Sequence, residues 1–168
     1  MTAQSQTDER VVVAKRVESG EADTTEIEEL TGAAGYRVVE TVTQTRTEDP
    51  AYGFGEGKVA EIATLAAAVD ATVLVIDNPL GPYQTFNVGN KLPESVRVVD
   101  RFRLILEIFG QRAQTRKAQL QVELAELRYE LPRVEAKASL AKRDERPGFM
   151  GLGEYDESRE RDIKSRIS

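Results

Sequence analysis

The hydrophobic and polar positions of this chain alternate between two periods. "RVVVAKR" (10–16) is a short β-branched run and predicts a buried strand. "ADTTEIEELTGAAG" follows, with a capping Asp or Thr, acidic residues in its first turn and Gly35 at its end, which predicts a short helix. "YRVVETVTQTR" predicts a second strand and "EDPAYGFGEG" a turn-rich loop. In "KVAEIATLAAAVDA" the residues Val59, Ile62, Leu65 and Val69 form one helical stripe. "TVLVIDN" is a continuous apolar run, as in a strand buried on both faces. "PLGPYQTFNVGNKL" begins as a turn and becomes weakly helical, and "ESVRVVDR" predicts a fourth strand. Alternating strands and helices over residues 10–100 predict a small α/β layer with a mostly parallel sheet and flanking helices. Residues 1–9 are polar and read as a disordered tail.

After Asp100 the strand period disappears. Ala113, Leu120, Leu124, Leu127, Leu131, Val134, Ala138 and Ala141 fall on an a/d seam of about four heptads, with Lys117 as its polar position. Pro132 interrupts the seam and is expected to kink the helix. A glycine-rich tip, "RPGFMGLGEYDE", and a resumed helical period with Ile163 and Ile167 four apart predict an antiparallel helical hairpin over 101–168, its tip near 146–154. The returning arm is too short to cover the first. The expectation is therefore a truncated second arm, or self-association through the exposed seam.

Composition narrows the chemistry. Cysteine and histidine are both absent, which excludes disulfides, thiolate metal sites and Ser-His or Cys-His catalysis. No signal peptide or membrane span is visible, so a cytoplasmic protein without a membrane partner is expected. The net charge of −6 is uneven: residues 1–99 hold 8 Lys/Arg against 16 Asp/Glu, whereas residues 100–146 hold 11 against 8. That asymmetry suggests an anionic partner for the helical part. Seven lysines against 16 arginines, on an acidic background, also suit a high-salt environment where surface charge is screened.

"AYGFGEGKVAEI" (51–62) looks like a phosphate loop but fails as one. The pattern G-x-x-x-x-G-K-[ST] would need Gly where Tyr52 stands and Ser or Thr where Val59 stands. A dinucleotide fingerprint fails for want of the third glycine. Gly55, Gly57 and Lys58 still precede a helix N-terminus, where amides and the helix dipole favour anions. The alternative is that the glycines only permit a tight loop. Asp77 ends the third strand and Arg101 follows the fourth; strand carboxyl ends are where open parallel sheets bind ligands, so Asp77, Gln84 and Lys58 could share a crevice.

The long helix offers a second candidate. Arg112, Arg116, Lys117, Arg128, Arg133, Lys137, Lys142, Arg143 and Arg146 punctuate it, and the tip sets Phe149 and Met150 among Gly148, Gly151 and Gly153. Basic side chains make salt-dependent phosphate contacts, and an apolar tip can wedge against bases. A solvated coiled-coil flank with i,i+4 ion pairs is the competing reading.

Several segments together resemble one family. "VTQTRTEDPAYGFGEGKVAEI", "VVDRFRLILEIF", "GQRAQTRKAQLQVELAELRYELPRV" and "GLGEYDESRERDI" are similar to signatures of the HflX family of ribosome-associated GTPases, and the match covers nearly all of residues 10–168. The tip departs from the family form, being shorter, with fewer glycines and no basic residue inside it. The resemblance implies an amino-terminal α/β subdomain followed by a helical hairpin that approaches the peptidyl-transferase region of the large ribosomal subunit. It implies contacts to ribosomal RNA from Arg112 to Arg146 and from Gly148 to Gly153. It also implies a GTPase domain, absent here, that would hold GTP and Mg²⁺ and dock against the α/β layer. No cofactor and no GTPase activity are expected of this chain alone. A nucleotide (ATP)-binding α/β module centred on Lys58 and Asp77 is the alternative of another class, and a coiled-coil assembly module is a third.

Overall fold

The computed structural model describes residues 9–143 of the chain. Two compact units divide it, Met1–Arg112 and Ala113–Ser168. The first contains β1 (Arg10–Val17), α1 (Thr25–Ala33), β2 (Arg37–Thr45), α2 (Glu56–Ala68), β3 (Val73–Ile76), α3 (Pro82–Lys91), β4 (Arg97–Asp100) and α4 (Arg101–Arg112). The four strands form one sheet in the order β2-β1-β3-β4, every neighbouring pair parallel. The expected parallel α/β layer is the observed one.

Parallel neighbours require crossovers, and right-handed crossovers running in opposite directions along the sheet, from β1 to β2 and from β2 back past β1 to β3, place α1 and α2 on opposite faces. The side-chain period of two then splits the core. Val11, Val13, Val73 and Val75 pack with Ile27 of α1 and with Leu104 and Ile108 of α4. Val12, Ala14, Leu74 and Ile76 pack with Val59, Ile62 and Ala66 of α2 and Val88 of α3. Each of these larger side chains contributes about 1.5–3 kcal/mol by leaving water. This is why β1 and β3 read as unbroken apolar runs. The edge strand β2 is more polar. Val11 pairs with Val38 and Val12 with Glu40, so Val39 is an extra residue that bulges the edge.

The helical stretch after Asp100 is two helices rather than one. α4 ends at Arg112 and belongs to the α/β unit. Its amino end is capped by Asp100, whose Oδ1 accepts the Arg103 N–H at 2.9 Å. Its far end is tied down by Gln111 Nε2, which donates to the Ala34 carbonyl at 2.7 Å. Between them Glu107 accepts the Tyr36 hydroxyl hydrogen bond, and Arg97 Nη2 donates to the same hydroxyl at 2.5 Å. Burial and the bond to Glu107 push the Tyr36 pKa up to about 12.

α5 (Arg116–Arg143) is the described helix of the second unit. Thr115 starts it: Thr115 Oγ1 accepts the Ala118 N–H at 3.1 Å and its carbonyl accepts the Gln119 N–H at 2.9 Å. Ala113, the first expected seam position, therefore precedes the helix. α5 continues through Pro132, which cannot donate to the carbonyl four residues back. Along the seam Leu127 and Ala138 are buried, whereas Leu120 is 47% exposed. A second apolar stripe runs through Ala118, Val122, Ala125, Tyr129, Ala136 and Leu140, with Ala136 buried. At 100° per residue it lies roughly opposite the first. The expected hairpin tip and returning arm lie outside the described residues.

Candidate functional site

In a sheet of this order the ligand crevice opens where the chain direction reverses, at the carboxyl ends of β1 and β3. Here the chain's own side chains fill it. Asn78 Oδ1 accepts the Arg16 N–H and Asn78 Nδ2 donates to the Arg16 carbonyl, both at 2.8 Å, which continues the ladder by one side chain. Asp77, with only 6% of its side chain exposed, takes Lys15 Nζ at 3.1 Å and Arg101 Nη1 at 3.2 Å. Arg101 Nη2 also reaches Glu26 at 2.9 Å. The hydrogen bonds to Glu26 and Asp77 raise the Arg101 pKa.

The three residues expected to share a crevice have separate partners. Lys58 Nζ pairs with Glu61 at 2.7 Å. Asp77 is held by Lys15 and Arg101. Gln84 Oε1 accepts the Gly81 N–H at 2.9 Å, while its Nε2 donates to Glu48 at 2.8 Å and to the Asp49 carbonyl at 3.1 Å. Gln84 therefore caps α3 and braces the loop before α2.

That loop is built for closeness. Asp49 and Gly53 exchange backbone hydrogen bonds of 2.9 and 2.7 Å, and Asp49 Oδ1 accepts the N–H groups of Ala51 and Tyr52 at 2.8 and 3.0 Å. Gly53 sits at φ +80°, and a Cβ there would meet Leu80 at 3.1 Å. The turn sends Phe54, 1% exposed, into the core beneath α2. Gly55 has another reason to lack a side chain: a Cβ would stand 2.5 Å from Arg46 Nη1 and 3.3 Å from Gln44 Nε2. Gln44 Oε1 accepts the Gly55 N–H at 3.0 Å. Gly57 faces open space.

Sequence reasoning missed Arg16, Gln44, Arg46 and Asn78. Arg16, the neighbouring Gln44 and Arg46, and Asn78 lie far apart in the chain, and the parallel topology gathers them at one sheet edge. Beside that edge Asn78, Pro79, Leu80, Asp100, Arg101, Phe102 and Ile105 line a mostly apolar groove of about 330 Å³. Phe102 and Phe109 of α4 are 53% and 57% exposed.

The basic candidates divide by position. Arg112 is exposed at the end of α4. On α5, Arg116, Lys117, Arg128, Lys137 and Lys142 are exposed. Lys117, Arg128 and Lys142 fall within about 40° of one another around the helix axis, whereas Arg133 and Lys137 lie on the far side. Arg133 is half-buried, 3.7 Å above the Tyr129 ring, and donates to the Tyr129 carbonyl at 3.2 Å. Arg143 ends the helix. Arg146, Gly148, Phe149, Met150, Gly151 and Gly153 lie outside the described residues. Among the described residues no cluster of acidic side chains is placed to hold a metal, and no helix is long and apolar enough to cross a membrane.

Comparison with known proteins places this arrangement. Residues 21–110 match the family model for the N-terminal region of a GTP-binding GTPase, and residues 112–168 match the model for its middle region. The chain is 43% identical over 136 residues to "GTPase HflX" of Methanocaldococcus jannaschii, covering 80% of this chain and 33% of that protein. It is 44% identical over 108 residues to "GTPase HflX" of Escherichia coli, covering 64% of this chain and 25% of that protein. Among solved structures, a GTP-binding protein from Sulfolobus solfataricus in complex with GDP shares the fold. Its TM-score is 0.60 at 22% identity, over 93% of this chain and 44% of that one. A doubly wound four-stranded unit leading into a long helix, matched by these two models, defines the class as the N-terminal and middle regions of a GTP-binding GTPase. The chain belongs to the HflX family. It spans about a third of the length of the M. jannaschii relative.

Proposed function

We propose that this chain is the ribosome-binding and regulatory amino-terminal module of an HflX-type GTP-binding protein, touching large-subunit ribosomal RNA through its helical part. The observation that carries the reading is the flank of α5, where Lys117, Arg128 and Lys142 are exposed on one side of a helix in an otherwise acidic protein. On this reading Arg112, Arg116 and the segment 146–154 also contact ribosomal RNA. GTP and Mg²⁺ belong to a GTPase domain against which the α/β unit docks, in the cytoplasm. The test is sedimentation of the chain with purified large subunits. Charge reversal at Lys117 and Arg128 releases it into the supernatant if the flank carries binding. Unchanged pelleting refutes the assignment of this face.

A second reading, a nucleotide (ATP)-binding α/β module, is favoured by one observation: the Arg46 guanidinium lies against Gly55 at the start of α2. Calorimetry with ATP and GTP tests it. Silence with both nucleotides removes this reading.

A further inference from the structure

We propose that the outer side of β2 pairs antiparallel with the β2 of a second copy of this chain, about a two-fold axis at Thr43, joining the two sheets into one. The sheet has two outer strands, and they are not alike. β4 is four residues long and runs straight into α4, which leaves little of it to pair. β2 is nine residues long, rich in valine and threonine, and carries neither proline nor lysine. Of the usual devices that keep an edge unpaired, β2 has the bulge at Val39 and two charged residues, Arg37 and Glu40. Beyond the bulge its register against β1 is regular from Glu40 to Thr45.

The backbone phase of the strand selects which residues can meet. Arg37 N–H donates to the Glu9 carbonyl and Arg46 N–H to the Val17 carbonyl, both at 2.9 Å, so both residues face β1. Counting back from Arg46 by twos, Gln44, Val42 and Glu40 face β1 as well, and Thr41, Thr43 and Thr45 turn their N–H and C=O groups outward. Thr45 Oγ1 donates to the Gly20 carbonyl at 2.7 Å, which holds that end of the strand without using its main chain. Thr43 opposite its own copy sets Thr41 opposite the second copy's Thr45. Each of these pairs then exchanges both main-chain hydrogen bonds.

Charge fixes the register. Val42 packs on the α2 side of the sheet, and Glu40, Gln44 and Arg46 share its face. With Thr43 on the axis, Glu40 stands directly opposite the second copy's Arg46, and Arg46 opposite its Glu40. Both side chains are exposed, and neither has an ion pair among the described residues. They fall at non-hydrogen-bonded positions, where facing side chains approach most closely. An axis at Thr41 or Val42 sets Glu40 against Val42 or Gln44 instead and forms neither pair. The same face also favours a second copy over a lone strand. An open groove of about 500 Å³ runs beside β2, lined by Val42 and by Ala60, Glu61, Thr64, Leu65 and Ala68 of α2. A lone strand would leave that groove open, whereas a second copy brings its own α2 to it across the axis.

Sedimentation equilibrium of the chain over a concentration series reads the association, with circular dichroism as the check on folding. The unaltered chain forms dimers. Glu40→Arg or Arg46→Glu alone replaces both attractive pairs by repulsive ones and raises the dimer dissociation constant about tenfold or more; the two together restore it to within about threefold. Thr43→Pro removes an outward N–H, leaves the bonds to β1 in place and abolishes dimerisation with the fold retained. The chain has no cysteine, so single cysteines read the register. Thr43→Cys cross-links to its own copy under mild oxidation, whereas Thr41→Cys, about 14 Å from its copy, does not. The reverse pattern overturns the axis at Thr43. A chain that stays monomeric throughout the series overturns the proposal, as does a dimer unmoved by either charge reversal. An association that survives Thr43→Pro and is lost in Leu120→Lys runs through the α5 seam and overturns it too.

Discussion

Asp77 stands where a ligand-binding residue was expected, yet its surroundings make it a staple, and removing it measures which. Its carboxylate joins Lys15 of β1 and Arg101 of α4 at 3.1 and 3.2 Å, with 6% of the side chain exposed. Removing one member of a fully buried ion pair costs about 3–5 kcal/mol, whereas a surface pair is worth about 0–1 kcal/mol. This case lies between them. The two cations are 25% and 39% exposed. Both also keep a second acceptor: the Asp23 carbonyl for Lys15 and Glu26 for Arg101. Asp77→Ala is therefore expected to cost about 2–3 kcal/mol. Asp77→Asn keeps the volume and one acceptor oxygen and is expected to cost about half as much. Urea unfolding followed by near-ultraviolet circular dichroism reads this as a midpoint lower by about 1 M for Asp77→Ala, at unchanged slope. A loss below about 0.5 kcal/mol would falsify the staple and return Asp77 to the list of ligand candidates.

Three further outcomes follow from the same geometry. Gly53→Ala combines φ +80° with a 3.1 Å approach to Leu80 and is expected to cost about 1–2 kcal/mol; a thermal melt unchanged within a degree would contradict this. Gly55→Ala meets Arg46 Nη1 at 2.5 Å and Gln44 Nε2 at 3.3 Å, both ends of side chains that can shift, so it is expected to cost less than about 1 kcal/mol, and a melt lowered by more than about 8 °C would contradict this. Tyr36 has a folded pKa near 12, above its ordinary value of 10. The folded state then holds the phenolic proton more tightly than the unfolded chain. That stability is fully present below pH 10 and is lost as pH rises toward 12. Tyr36→Phe removes this alkaline loss, and an unchanged alkaline profile would show that another group is responsible.

What the sequence discloses follows from how each element is held. β1 and β3 are legible because both of their faces are buried, which leaves no polar position to interrupt the run. α3 is faint because Gly89 and the asparagines weaken its propensity. Val88, buried against the sheet, and the bond from Gln84 to Gly81 hold it instead. The division of the long helical stretch at 113–115 depends on a single cap, Thr115, which a seam count passes over. The site was harder to see. Asn78 and Arg16 are 62 positions apart and meet only because β3 returns beside β1, so no local spacing announces them. Lys58, by contrast, stands out beside three glycines, yet it is spent on its neighbour Glu61.

The central claim is that the α5 flank delivers this module to ribosomal RNA. The most direct measurement is the affinity of the chain for purified large subunits as a function of salt. The account predicts that log affinity falls linearly with log salt, with a slope of about −0.7 to −0.9 per phosphate contacted. It also predicts that Lys117→Glu with Arg128→Glu makes that slope shallower and weakens binding. A salt-independent affinity, or a slope untouched by those substitutions, would contradict it.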